Sequence, residues 1–324
     1  MKHIEVAIVG AGVAGLAAAG ALNTQNYMIF EKSRGPGGRL ASKRINNLRV
    51  DIGAQFFTAR DPLFQKVVSD AVSAGFVKCW RPRMGTFFNG YATASPDSQE
   101  RFVGAPYMNA MGHYLARSLT ISTQLRVATI HHDGDVFHLK LTDSEVYTAS
   151  KVLVTVPVTQ MTSLLSSFDV RDIASRFTME PTWTVVSDIE APLTDQHNNP
   201  LDALFGGDHN IFDFISTEIS KPGRESSYVV IHAKPVWSTN HGEDEPVSVQ
   251  KQINSALETT FGVSANPVIA HRWRFARPTD PTLTTQKGVF EVNDGLWVAG
   301  DYLAGGRVEG AYLSGIEAAG LLNR

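Results

Sequence analysis

The sequence predicts an α/β fold in which a dinucleotide-binding domain, opened at the N-terminus and completed at the C-terminus, is interrupted by an inserted mixed α+β domain. Three observations carry this. An apolar run enters a glycine-rich turn and an alanine-rich helix within the first thirty residues; an apolar strand pattern ending in Gly-Asp returns only at 295–301; and from about Val158 to Pro281 the chain shows scattered strands, prolines and few long helices. The expected division is 1–60, 105–157 and 284–324 for the dinucleotide-binding domain and 61–104 with 158–283 for the substrate domain, with the active site between them.

Ile4 to Val9 is apolar, as a buried parallel strand requires, and Ala14 to Leu22 is a helix stopped by Asn23 and Thr24. Tyr27 to Phe30 completes a βαβ unit. Lys32 to Arg44 is rich in glycine and basic residues, and Pro36 forbids a regular helix there, so a loop is expected. Asp61 to Ala74 has helical spacing, Phe76 to Trp80 and Gly85 to Tyr91 are short strands, and Tyr107 to Leu119 is another helix. Residues 121–156 alternate in short runs broken at Asp133-Gly134 and 142–145, which predicts an antiparallel meander that rejoins the buried sheet at Lys151 to Val156. Thr182 to Ile189 and Tyr228 to Ala233 are strands, Val247 to Phe261 a helix, Gly295 to Ala299 a strand and Ala311 to Leu322 the last helix.

At 324 residues, 43% hydrophobic and 19% charged, the composition is that of a globular protein of two interlocked domains. A formal charge of -3 gives no long-range attraction for nucleic acid or an acidic membrane. Cys79 is the single cysteine and no Cys/His spacing reads as a metal site, so the cytoplasm is the expected compartment. Val6 to Leu22 superficially resembles a signal-peptide core or membrane span, but its glycines sit where a strand turns into a helix.

Gly10-Ala11-Gly12-Val13-Ala14-Gly15 fits G-x-G-x-x-G between a strand and a helix. The first glycine permits the tight turn, the second lets backbone approach a pyrophosphate, and the third allows close packing. Glu31, at the end of the second strand, stands where a carboxylate accepts from ribose hydroxyls. Arg34-Gly35-Pro36-Gly37-Gly38-Arg39, with Lys32 beside it, reads either as a solvated basic turn or as a second phosphate clamp that a simple NAD dehydrogenase does not need. The ending Gly300-Asp301 and Gly305-Gly306-Arg307-Val308-Glu309-Gly310-Ala311 places a carboxylate for ribityl hydroxyls and a helix N-terminus for the pyrimidine edge of a flavin. FAD is therefore the expected cofactor.

These motifs, with Asp51-Ile52-Gly53-Ala54-Gln55-Phe56-Phe57, resemble the flavin-containing amine oxidase superfamily over nearly the whole chain. Within it, Lys32 to Arg39, Gln55 to Asp61, Pro181-Thr182-Trp183, His271-Arg272-Trp273 and Gly305 to Ala311 are similar to bacterial renalases. The resemblance implies a p-hydroxybenzoate-hydroxylase-like fold and non-covalent FAD, since only Cys79 is present. It implies oxidation of 2- or 6-dihydro-NAD(P) to NAD(P)+ by O2, giving hydrogen peroxide. It also implies that Val127 meets the adenine end while Ala54 and Gln55 approach the flavin ring.

Hydride transfer needs position and a shielded site more than side-chain chemistry, and a dihydronicotinamide sheds no proton on oxidation. Trp183, Tyr228, His232, Trp237, Trp273 and Arg277 are the substrate-side candidates, with His232, Trp273 and Gln55 singled out. Two other readings stand beside this one: another flavin oxidase or dehydrogenase of the superfamily, and a non-catalytic FAD-binding module.

Overall fold

The computed structural model describes residues 2–285 and 288–324. β1 (Lys2–Val9), α1 (Val13–Gly20) and β2 (Tyr27–Glu31) form the expected parallel βαβ unit. The following loop is shorter than the sequence predicts. It tightens into a 3-10 turn at Gly38–Leu40 and passes at Ser42 into a hairpin of β3 (Ser42–Ile45) and β4 (Leu48–Asp51). α2 (Pro62–Ser73) starts at an Asp61 cap whose carboxylate accepts the Leu63 N–H. β5 (Val77–Trp80), β6 (Met84–Phe88), β7 (Tyr91–Ala94) and β8 (Arg101–Gly104) follow, and α3 (Asn109–Ala116) is shorter at both ends than the periodicity suggests.

After β9 (Ile121–Thr123), the meander appears as β10 (Val127–His132), β11 (Phe137–Leu141) and β12 (Val146–Val154), antiparallel in sequence. α4 (Val158–Leu164) and α5 (Arg171–Arg176) lead to β13 (Met179–Ile189), β14 (Ala203–Phe205), β15 (Phe212–Thr217) and β16 (Tyr228–Ala233). α6 (Pro235–Asn240) and α7 (Pro246–Phe261) precede β17 (Ala265–Pro278), a fourteen-residue strand that the sequence reading missed. β18 (Val289–Asn293), β19 (Leu296–Ala299) and α8 (Val308–Leu322) close the chain, with α8 starting three residues earlier than predicted.

Two large sheets result. In the first, β12 pairs with β1 along nearly its whole length; its other edge takes β11 at 146–149 and β19 at 152–154, so the N- and C-terminal segments meet on one central strand. The second runs β17-β13-β16-β15-β14-β6-β7. α1 is apolar all round because it lies between the first sheet and α8. The approach is so close that a Cβ on Gly315 would stand 2.2 Å from the Ala14 carbonyl oxygen. That sandwiching explains the membrane-like look of Val6 to Leu22. Among the described residues, no helix is long and apolar enough to cross a membrane.

Candidate functional site

The three fingerprint glycines have three different physical reasons. Gly10 holds φ +110, a left-handed value that disfavours any side chain. A Cβ on Gly15 would lie 2.1 Å from the Gly10 carbonyl oxygen, so only glycine lets the helix pack onto the turn. Gly12, in contrast, has ordinary backbone angles and nothing within 4 Å of an added Cβ. It faces open space: a groove of about 1290 Å³ lined by the fingerprint, the loop after β2, β3, β4, α4, β17 and the start of α8. A cradle that a single Cβ would begin to fill is what a pyrophosphate requires, and the groove exceeds the size of an ordinary small-molecule pocket. The residues fit a dinucleotide, with space left for a second ligand.

Among the expected cofactor contacts, Gly10, Gly12, Val13, Ala14, Glu31, Lys32, Gly38, Arg39, Ala54, Val127, Gly300, Asp301 and Val308 all line this groove. Glu31 is buried and also braces the turn: its carboxylate accepts from the Ala11 and Ser33 amides at 2.8 and 2.7 Å. Asp301 is held in a bidentate ion pair by Arg39, which also donates to the Ala276 carbonyl at 3.0 Å, so the second basic loop is tied to the C-terminal segment across the groove. Lys32 lies beside Glu31 and Arg126; burial, the largest influence, pushes its ammonium below the ordinary value.

Four expected contacts sit elsewhere, among them Gly15, whose role is the close packing of helix on turn described above. Glu309 turns away, its carboxylate accepting from the Arg60 and Asp61 amides at 2.6 and 2.7 Å. Gly310 is needed for packing, since a Cβ there would stand 2.0 Å from the Ala304 carbonyl oxygen. Gln55 is behind the groove wall and buried, with both hydrogen-bonding ends consumed. Its amide nitrogen donates to the Asp51 and Gly53 carbonyls at 2.6 and 2.9 Å, and its oxygen accepts from Ser216 and Lys221, each at 2.8 Å. The expectation that Gln55 reaches a ligand is therefore corrected: two saturated ends leave it no hydrogen bond to offer.

What Gln55 supports is the wall itself. Around it lies a buried cluster of Asp51, Glu218, Lys221 and Arg224. Lys221 pairs with Glu218 at 2.5 Å and Arg224 with Asp51 at 2.5 Å, while Asp51 also accepts from Ser42 and the Met108 amide. Sequence reasoning missed this cluster. Ahead of it, the Ile52 carbonyl accepts from the Trp273 indole at 2.9 Å and from Thr184 at 3.1 Å, and the His232 ring lies close enough for that carbonyl to favour its protonated form. His232 and Trp273 thus reach the groove from separate strands, on either side of one carbonyl's influence. Trp183 and Trp237 instead pack within the second sheet's core, and Tyr228 packs against the cluster of Ile45, Val50 and Ile52.

His232 is a weak base here. Burial, then the Lys221 charge, depress its pKa to about 4. A separate cavity of about 760 Å³ lies beside Phe87 and α7. Its His209 ring stacks on Phe212 and accepts the Ile211 and Phe212 amides, so it is structural.

Comparison with known proteins agrees with this geometry. Residues 8–71 match the model of an NAD(P)-binding Rossmann-like domain, and residues 84–323 match that of flavin containing amine oxidoreductases. Among solved structures, the chain is similar to a provisionally assigned protoporphyrinogen oxidase from Exiguobacterium sp. 255-15, with TM-score 0.79, 13% identity, and 99% of this chain and 98% of that one covered. A fatty acid isomerase from P. acnes gives 0.75 at 11%, with 98% of each chain covered. A putrescine oxidase double mutant gives 0.70 at 12%, with 99% of each covered. At these identities the likeness is one of fold.

Two outcomes follow from the site. Gly12→Val should fold normally, because its Cβ meets nothing, yet lose the flavin; absorbance of the purified protein near 450 nm, read beside its thermal midpoint, checks both. For His232 the ring is neutral in the native state near neutral pH, and the unfolded chain binds its proton first, below the reference value of 6.5. The neutral ring's contribution is therefore complete above about pH 6.5 and is lost as the pH falls toward 4, by up to about 3 kcal/mol. Urea titrations of the wild type and His232→Gln between pH 4 and 7 should show a shallower slope for the variant.

Proposed function

The chain belongs to the flavin containing amine oxidoreductase family and is an oxidoreductase whose cofactor is FAD, and from that premise we propose that it oxidises 2- or 6-dihydro-NAD(P) to NAD(P)+, as the bacterial renalases it resembles do. In this reading FAD is bound without a covalent link and O2 is the acceptor, giving hydrogen peroxide. The cytoplasm is its compartment. The discontinuous domain division expected from the sequence belongs to the same proposal; β6 and β7, from 61–104, join the sheet built by 158–283, which supports it.

The observation that carries the reading is the sign of the groove's charge. Eleven lysine and arginine side chains line it against three carboxylates, Glu31, Asp213 and Asp301. Asp301 is paired with Arg39, Asp213 with Arg277 at 2.8 Å, and Glu31 with two backbone amides. Such a field attracts a phosphate-bearing substrate and repels an alkylammonium ion. The pyrophosphate of FAD neutralises only part of it.

The weak basicity of His232 supports the same choice. An amine must be neutral before it gives up hydride, and a base with a pKa of about 4 takes an ammonium proton poorly. A dihydronicotinamide becomes aromatic on losing hydride and asks for no base. FAD supplies the redox chemistry when bound; the chain's part is to orient the donor and exclude water. Trp273, fixed by its bond to the Ile52 carbonyl, presents a flat apolar face suited to a nicotinamide ring, and His232 beside it presents a neutral ring.

Anaerobic mixing of the holoenzyme with β-NADH, its 2- and 6-dihydro isomers and a panel of primary amines tests the proposal. One of the isomers should bleach the flavin at least about a hundredfold faster than β-NADH or any amine. Trp273→Ala should slow that bleaching about ten- to a hundredfold with FAD still bound, since loss of positioning costs rate without loss of the cofactor. Rapid reduction by an amine with inert isomers would restore the amine-oxidase reading, and no reduction by any donor would favour a non-catalytic module.

A further inference from the structure

The hairpin of β3 and β4 carries a feature that folding alone does not explain. Arg44 and Arg49 stand directly opposite each other across it, and like charges in that register repel and destabilise the pair. Proteins ordinarily relieve such a pair with a carboxylate. Here neither arginine makes a side-chain hydrogen bond or ion pair with any described residue, and both line the groove together with Lys43.

The hairpin is nonetheless rigidly placed. Ile45 and Val50 are buried against Val186 and Val230 of the second sheet, and the Asp51 end is anchored by Arg224. Lys43 lies close enough to His271 for its charge to act on that ring, and His271 packs edge-on against Trp273 with ring centroids 4.6 Å apart. Lys43, on the hairpin face of Val50, thus neighbours the proposed nicotinamide-binding indole, while Arg44 and Arg49 stand on the opposite face of the hairpin, beside Ser42 and Asp51. They belong to a different segment from Lys32, Arg34 and Arg126, which neighbour the fingerprint.

We propose that Arg44 and Arg49 form a clamp for the pyrophosphate of the dinucleotide substrate, separate from the residues that hold the pyrophosphate of FAD. The inference rests on the substrate reading above and adds the residues that select for a phosphate-bearing donor. A planar guanidinium on each strand offers paired N–H donors that match phosphate oxygens, and a dianion between them turns the cross-strand repulsion into attraction. No bond is made or broken at this subsite. Arg44 and Arg49 are positioning and selectivity residues, distant in role from the hydride.

The test uses FAD-loaded wild type, Arg44→Gln, Arg49→Gln and the double variant, each first matched to wild type in flavin content and thermal midpoint. ADP-ribose, which carries the pyrophosphate but donates no hydride, is titrated by calorimetry at several salt concentrations. The wild type should bind it with a steep salt dependence; each single variant should bind at least about tenfold more weakly and the double variant weaker still, with a flatter salt slope. In parallel, the ratio of kcat/KM for the reactive dihydro-dinucleotide to that for its phosphate-free dihydronicotinamide riboside should fall at least about tenfold. Unchanged ADP-ribose affinity in the double variant would overturn the clamp, as would an equal loss for dinucleotide and riboside. Because ADP-ribose binding needs no turnover, a clamp that binds it in an enzyme inert to every dihydronicotinamide would refute the proposed reaction and leave the anion subsite standing.

Discussion

The groove depends on a cluster of four buried charges that lies behind its lining. Asp51, Glu218, Lys221 and Arg224 are all at most 8% exposed and arrive from two distant stretches of chain. The two acids and two bases balance in charge, but not every atom is satisfied: Glu218 Oε2 and Arg224 Nε and Nη1 have no hydrogen-bond partner. Burial pushes the Glu218 carboxyl up against the pull of Lys221. Replacing such a cluster with apolar residues often costs nothing, whereas removing one partner strands the others, so its presence argues for specificity of placement over raw stability. What it places is the segment Ile52-Gly53-Ala54, the wall from which Trp273 is hung and beside which His232 lies.

The wall is held equally firmly by exclusion. A Cβ on Gly53 would lie 2.0 Å from the Arg39 carbonyl oxygen, and the Ala54 amide donates to that same oxygen at 3.0 Å. Arg39 in turn grips Asp301. The second basic loop, the wall and the C-terminal segment are therefore one mechanical unit. Structures sharing this fold come from proteins named for a porphyrinogen, a fatty acid and a diamine, so the scaffold does not choose the substrate. The cations on the β3–β4 hairpin and the rings on β16 and β17 are where this chain differs in kind from a bare cofactor cradle.

Much of the cofactor half was legible in the sequence because its rules are local. Gly10, Gly12 and Gly15 lie within six residues, and Glu31 ends a strand at a readable distance. The substrate half obeys no such spacing. Glu218-Ile219-Ser220-Lys221-Pro222-Gly223-Arg224 reads as a charged, solvated loop, and its burial becomes visible only when Asp51 and Gln55, more than 160 residues earlier, are brought against it. β17 was missed because it is an edge strand of mostly half-exposed residues, which erases the alternation that marks a strand. Resemblance alone puts Gln55 next to the flavin; the residue that reaches the groove is Ala54, and Gln55 faces the opposite side as the strand-like alternation of side chains dictates.

Whether the buried charges set the cofactor wall is decided by measuring the FAD dissociation constant and urea stability together in Arg224→Met. Removing one partner leaves Asp51 without its closest cation, which should cost about 3–5 kcal/mol of stability. If the wall depends on the cluster, FAD affinity in the still-folded protein should fall by at least about tenfold, although Arg224 is buried behind the wall. A variant that loses stability but binds FAD as tightly as the wild type would show that the cluster braces only the second sheet and does not set the cofactor wall.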